Sequence, residues 1–450
     1  MSDETLEATL AEFAATFPSQ AIVPSALDHA KLLLVDGIGC ALAGDLADEI
    51  EPVATATKAL GEGACSVIGR SDLLSPVGAT LLNAYLMTAM TVCDVYRAAH
   101  CHITPLVIPP ALMAAEKRGA SGEDFLTAIA IAMELTVRVA RGLDYPAFRA
   151  RGWHSPGVVG PFGAAAAIGR LRGFDESVMR HAFGLAGSQS AGSYLSWGTP
   201  AVKFHQARGA ASGALAAELA GLGFPGGSQP LTAPDGGVYN THSNGGRPDL
   251  ALTDLGERWE LEQIAFRLWP GASPVQAMLT AIFDVIAHHG ANAGNVAGVT
   301  IGVSSEDFGT HAGFTRPAGT FEALLSYAYL CSAALHDQQV WFEQVEYPRY
   351  TDPTLLAFAD ERVEIVAVAD LPLNGCTLEV ELSDGSRVDR RVEAARGTPE
   401  NPPDENEVRA KFHRCADRRM GADRAEELWE MLMDVESCGD MAVLCRLLRG

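Results

Sequence analysis

The stretch Asp94-Val95-Tyr96-Arg97-Ala98-Ala99-His100-Cys101-His102-Ile103-Thr104-Pro105 is a polar island between two apolar segments of helical periodicity. Within nine residues it gathers a carboxylate (Asp94), a guanidinium (Arg97) and two imidazoles (His100 and His102), with Tyr96 among them. An imidazole gives and takes protons near neutral pH, and a guanidinium holds carboxylates. The combination suits proton transfer on an anionic substrate; the competing reading is a solvated loop. On a strand, His100 and His102 would share one face, as paired metal-binding imidazoles do. No partner set of His, Asp or Cys at ligand spacing accompanies them, so no metal is expected.

Two further groups carry similar chemistry. Gly152-Trp153-His154-Ser155-Pro156-Gly157 precedes a glycine- and alanine-rich helix expected to start near Pro161. That puts His154 at a helix mouth, where the dipole tunes a titrating ring, although such a histidine is as often structural. Lys203-Phe204-His205-Gln206-Ala207-Arg208-Gly209-Ala210 supplies cations that an acidic chain otherwise keeps scarce. Bracing of a helix C-terminus is the plain alternative for Lys203 and Arg208. The letters G-x-G-x-x-G occur at 221–226 but follow a helix, and neither a phosphate loop nor a G-x-S-x-G elbow is present. Chemistry done by side chains alone, without an organic cofactor, is the expectation.

The elements that must position these residues are legible in the apolar pattern. Helical spacing dominates from Leu6 to Gly223, as in Leu27 to Leu42, Gly78 to Met90 and Phe125 to Arg141. Ser121 and Asp175, each followed by acids, signal helix starts, and Gly119, Gly142 and Gly173 signal stops. Small residues fill 163–168, 184–192 and 209–221, so these helices can approach closely. After about Arg267 the texture changes. Val296 to Val303 and Val363 to Val368 read as strands, Gly375 to Leu382 with Ser383-Asp384-Gly385 as a hairpin, and Phe321 to Leu335 as one helix. A Pro-rich linker at 397–405 leads to final helices at 407–416 and 422–448. The fold expected is mainly α: a large helical domain from 1–266 and 396–450, and a smaller α+β lid domain at 267–395.

Composition narrows the function. A chain of 450 residues exceeds the usual single core, which favours two domains. Its net charge of −23 disfavours nucleic acid and anionic membrane as partners. Nine scattered cysteines without a C-x-x-C pair, and no apolar run of membrane-spanning length, point to a reducing, cytoplasmic setting.

These residues together resemble the MmgE/PrpD family, whose members include 2-methylcitrate dehydratase, cis-aconitate decarboxylase and iminodisuccinate epimerase. The resemblance runs from Leu33-Leu34-Val35-Asp36-Gly37-Ile38-Gly39-Cys40 through Gly152-Trp153-His154, Phe162 to Ala167, Gly184 to Gln189, Lys203 to Gly209 and Gly223-Phe224 to the segment 323–335 around Ser326 and Tyr329. It implies a helical domain from both chain ends with an inserted α+β lid, a pocket between them and a homodimer. It places Asp94, His102, His154, Lys203 and Tyr329 in that pocket. Arg267, ahead of Pro270, stands for a family lysine, and Gln276 stands where a histidine is common. The family's D-x-D-D-T cluster ahead of an H-P pair is reduced here to Asp94, with Ile103 after His102. Tyr96, Arg97 and His100 are additions.

The implied activity is a cofactor-independent lyase on a small di- or tricarboxylic acid. Lys203, Arg208 and Arg267 would hold carboxylates, with Tyr96, Arg97, His100, His205 and Gln276 as further substrate contacts. His102 or His154 would handle the proton, Asp94 would orient an imidazole or accept a proton, and Tyr329 would donate a proton or orient a carboxylate. An isomerase or epimerase using two bases, and a binding protein that has lost its chemistry, are the alternatives.

Overall fold

In the computed structural model, which describes residues 5–450, two expected helix starts are made by side-chain caps. Ser121 Oγ accepts from Asp124 N at 3.1 Å, and Asp175 Oδ1 accepts from Val178 N at 2.9 Å, each satisfying an amide that the first turn leaves unpaired. Gly119 and Gly173 close their helices in left-handed backbone, φ 65° and 68°. Gly142 closes Gly122–Arg141 in right-handed backbone instead. Glycine is required there by close approach, because a Cβ would lie 2.2 Å from the Tyr239 hydroxyl.

One compact unit comprises the chain to Ala89, Cys93–Ala265 and Glu405–Gly450; the other comprises Phe266–Asp404 with Met90–Val92. The first is helical. At its centre the helix Ser155–Arg172 packs against Ala201–Gly221, Gly122–Arg141 and Thr104–Arg118. Small residues permit this: a Cβ at Gly213 would lie 2.3 Å from the Pro161 carbonyl, and one at Gly163 would lie 2.1 Å from Thr136 Oγ1. This helix begins at Ser155, six residues before the position expected, so Pro161 falls inside it. Proline has no N–H, so the Gly157 carbonyl one turn back lacks its helical donor. It accepts from Ala191 N at 3.2 Å and Arg208 Nη2 at 3.1 Å instead.

The chain ends are joined at Pro24–Ala43 and Glu405–Met420, where Lys411 Nζ meets the buried Asp36 carboxylate at 2.5 Å. The final segment, expected as one helix, is two: Ala422–Met433 and Met441–Leu448. Asp440 caps the second through Ala442 N at 2.9 Å, which breaks the run.

The second unit is α+β. Val296–Val303 lies between Val363–Ala367, parallel, and Cys376–Leu382, antiparallel; Arg387–Val392 pairs antiparallel beyond the latter. Met278, Ile282 and Leu330 from the helices Val275–His289 and Tyr327–Asp337 share a core with Val299, Ile301 and Leu378. The helix expected from Phe321 is interrupted after Ala323. Ser326 turns extended and its Oγ accepts from Tyr329 N at 3.1 Å, starting a new helix at Tyr327. Among the described residues, no helix is long and apolar enough to cross a membrane.

Candidate active site

The polar island is a junction between the helices Pro76–Ala89 and Thr104–Arg118, and Asp94 organises it. The buried carboxylate accepts from Ile103 N at 2.7 Å, from Thr104 N at 3.0 Å and from the Thr104 hydroxyl. Burial pushes its pKa up to about 6, against the pull of those three donors. Asp94 thus bonds the backbone that carries His102, and it is its main-chain carbonyl that meets the ring: His102 Nδ1 lies 2.7 Å from Asp94 O. A carbonyl only accepts, so Nδ1 carries a proton.

Backbone bonds between Tyr96 and Cys101, at 2.7 and 3.1 Å, close the loop. His100 sits at its corner with φ 44°, so His100 and His102 do not alternate along a strand. Among the described residues no group of three or more His, Cys, Asp or Glu gathers as metal ligands. The His100 ring stacks on Tyr145 at 5.1 Å, and its Nε2 is buried without a hydrogen-bond partner. Tyr96 pairs with Ile264 in a short ladder. Burial and the nearby Glu260 push its hydroxyl up to about 12. Arg97 opens the 3₁₀ turn Arg97–Ala99.

His154 is the residue before the first turn of Ser155–Arg172. Its N–H donates to Gly192 O at 2.8 Å, and its buried ring meets His205, Nδ1 to Nδ1, at 3.0 Å. Ser155, the next residue, donates its hydroxyl to Ala99 O at 2.6 Å, tying this mouth to the polar island. Burial holds the His154 pKa well below the ordinary range, assisted by the positive charges of His205, His102, His100 and Arg149. His205 is lowered by burial and Arg208, and His100 falls to about 4 through burial and Arg149. His100, His102, His154 and His205 thus share, with Arg149, one locality that disfavours added positive charge.

Lys203 and Arg208 have other engagements. Lys203 Nζ contacts Glu49 Oε1 at 3.0 Å and the Ala89 carbonyl. Burial opposes ionisation of Glu49, but Lys203 and the Tyr85 hydroxyl hold its carboxyl below the ordinary range. Lys203 and His205 are two residues apart on one helix and so face nearly opposite ways. Arg208 donates to the carbonyls of Gln189, Gly157 and Ala191 and to Ser212 Oγ. In the second unit Arg267 donates to Gly271 O at 3.2 Å, and Gln276 brackets the same turn through Trp269 N and O. The buried Tyr329 hydroxyl donates to Gln344 O, and burial raises its pKa.

Arg149 was missed by the sequence reading. Its guanidinium stands 3.2 Å over the Tyr194 ring, and its charge is felt by both His100 and His154. The available signal was a cation five residues before His154 in a chain short of cations.

This cluster, together with His29 and His242 outside it, predicts acid sensitivity. His29, His100, His154, His205 and His242 all have folded pKa values below the ordinary 6.5. Below pH 6.5 the unfolded chain binds protons that the folded one refuses, so stability present above 6.5 is lost as pH falls. His100 alone accounts for about 3 kcal/mol between pH 6.5 and 4. Asp94 works oppositely: its raised pKa costs stability above pH 6 that is regained toward 4. Glu134 and Asp307 are raised as well and act like Asp94, but five rings outweigh three carboxyls, so the unfolding temperature should drop from pH 7 to 5. His100→Asn, which tolerates φ 44°, should flatten that drop; an unchanged profile in calorimetry contradicts the cluster.

Residues 8–251 match the MmgE/PrpD N-terminal domain and residues 269–437 the MmgE/PrpD C-terminal domain. The cis-aconitate decarboxylase-like protein oryM of Aspergillus oryzae is 28% identical, over 94% of this chain and 93% of its own. Cis-aconitate decarboxylase of Aspergillus terreus is 25% identical over 98% of this chain and 95% of its own. The Homo sapiens cis-aconitate decarboxylase is 24% identical over 94% and 90%.

Proposed function

The chain belongs to the MmgE/PrpD family, and from that premise we propose that it is a lyase acting on a tricarboxylic acid, releasing CO2 from a cis-aconitate-like substrate. The observation that carries this reading is the gathering of His100, His102, His154 and His205 near the Arg149 guanidinium in a chain of charge −23. Imidazoles that repel one another's protons form a site waiting for negative charge. A bound polycarboxylate offsets that repulsion and draws protons onto rings that face its carboxylates, while His154 keeps the single ring proton that it donates.

Decarboxylation asks little else of the protein. The bond to the departing carboxylate breaks, CO2 leaves, and the electron pair stays on carbon until a proton arrives. His154 supplies that proton from Nε2, and His102, held by the Asp94 carbonyl, meets a carboxylate that stays. Arg149 and the charged imidazoles hold the carboxylates that stay. Asp94 fixes the loop that aims His102, and Arg208 and Lys203 brace the helix carrying His205. No metal or organic cofactor enters this scheme.

Tricarboxylate binding should then be accompanied by net proton uptake, seen as a dependence of the calorimetric enthalpy on buffer ionisation. Arg149→Met removes a charge-assisted contact of about 1.5–3 kcal/mol, weakening binding roughly tenfold to a hundredfold. Absence of uptake together with unchanged affinity in that variant contradicts the reading.

A further inference from the structure

We propose that His205 is the proton relay for His154, fixing which of its ring nitrogens carries hydrogen and passing solvent protons to it through the Nδ1–Nδ1 contact. The proposal rests on the assignment of His154 as proton donor made above, but its geometry stands apart from that assignment. Two Nδ1 atoms 3.0 Å apart hold one hydrogen between them. If neither carried a proton, two lone pairs would face each other; if both did, two N–H groups would collide.

The two rings therefore hold complementary forms. When His205 Nδ1–H donates, His154 has its proton on Nε2 and is an acid there; when His154 Nδ1–H donates, its Nε2 is bare and is a base. His154 is buried, and its ring is otherwise met by Tyr194, edge-on at 6.1 Å. His205 is partly exposed. A proton can thus reach the enclosed ring by way of the open one.

The step balances as follows. His154 Nε2 gives its proton to the substrate carbon that has just lost CO2, and the N–H electron pair stays on the ring. In the same event the shared hydrogen moves from His205 Nδ1 to His154 Nδ1, so His154 stays neutral. His205 Nε2 takes a proton from water and also stays neutral, and the hydroxide left behind combines with the released CO2 as bicarbonate. One solvent proton enters for each proton placed on carbon. The pair resets when His154 Nε2 takes a proton from the water that replaces product, the shared hydrogen returns to His205 Nδ1 and His205 Nε2 gives its proton back to solvent. Neither ring has to become a lasting imidazolium, which suits a locality where His100, His102, Arg149 and Arg208 all oppose positive charge.

His205→Leu removes both the hydrogen bond and the relay, whereas His205→Asn keeps a polar partner for His154 but cannot pass a proton. Both variants should lose about a hundredfold in kcat on the tricarboxylate, with KM little changed, and both should recover partly when imidazole is added to the buffer. Wild-type kcat in His205→Asn, or a loss that imidazole does not relieve, overturns the relay. A second readout needs no substrate. In histidine-labelled resting protein, NMR should show exchange of the His154 ring proton with water slowing by roughly an order of magnitude in His205→Leu. Equal exchange rates in wild type and His205→Leu also overturn it. If wild type fails to turn over any tricarboxylate while the exchange rates differ, the proposed function is wrong and the relay stands.

Discussion

His154→Ala should lower kcat by about a hundredfold to ten-thousandfold, the range for removal of a proton-transfer group, while the protein stays folded. The selectivity follows from how the ring is held. His154 precedes the helix Ser155–Arg172 but makes no side-chain cap bond, so its loss leaves the helix start intact. The start is secured instead by Ser155 on Ala99 and by the backbone bond from His154 N to Gly192. The hydrogen bond that is lost goes to His205, which is partly exposed and can turn to water. Steady-state kinetics beside a thermal melt checks both halves. A variant that melts far below wild type, or one that keeps normal turnover, contradicts the role given to this ring.

The largest stability effect is expected far from the imidazoles, at Lys411. Its ammonium and the Asp36 carboxylate are both almost wholly buried, so the pair tolerates no unpaired member. Burial alone would pull the Lys411 pKa down, yet Asp36 holds it well above its ordinary value. Lys411→Met strands the carboxylate and should cost about 3–5 kcal/mol, whereas Asp36→Leu/Lys411→Met together should recover most of it. Unfolding of this region can be followed through Trp429, whose ring packs 5.6 Å from Phe412, next to Lys411 in the chain. If the single variant costs under about 1 kcal/mol, the pair is wetter than described.

Much of the local structure was readable without coordinates because its causes are local. Ser121 and Asp175 cap within three residues, the Ser383-Asp384-Gly385 turn closes its own hairpin, and the strand at Val296–Val303 follows from β-branched residues. The misses have causes that lie elsewhere in the chain or in a single cap. Ser155 starts its helix early because its hydroxyl finds Ala99, 56 residues away. Ser326 and Asp440 break expected helices because a side-chain cap at a polar residue outweighed the apolar run on either side.

The site divides the same way. The residue types and their grouping into an acid, imidazoles and scarce cations were visible, whereas partners were not. Asp94 bonds Ile103 and Thr104 with its carboxylate and meets His102 through its carbonyl, and Lys203 meets Glu49, 154 positions earlier. The resemblance groups His154 with Lys203 in one pocket; the hydrogen-bonded partner of His154 is His205, on the other side of the helix that carries Lys203. Spacing tells which face a residue takes, and only the packed helices tell what faces it.

The most direct test is a single incubation of the purified, chelator-treated protein with cis-aconitate in deuterium oxide, with carbon dioxide and product followed together. The expected result is one CO2 released per substrate consumed, and one solvent deuterium on the carbon that lost it. Deuterium exchange or gain of water without CO2, or no turnover at all, would contradict a decarboxylating lyase.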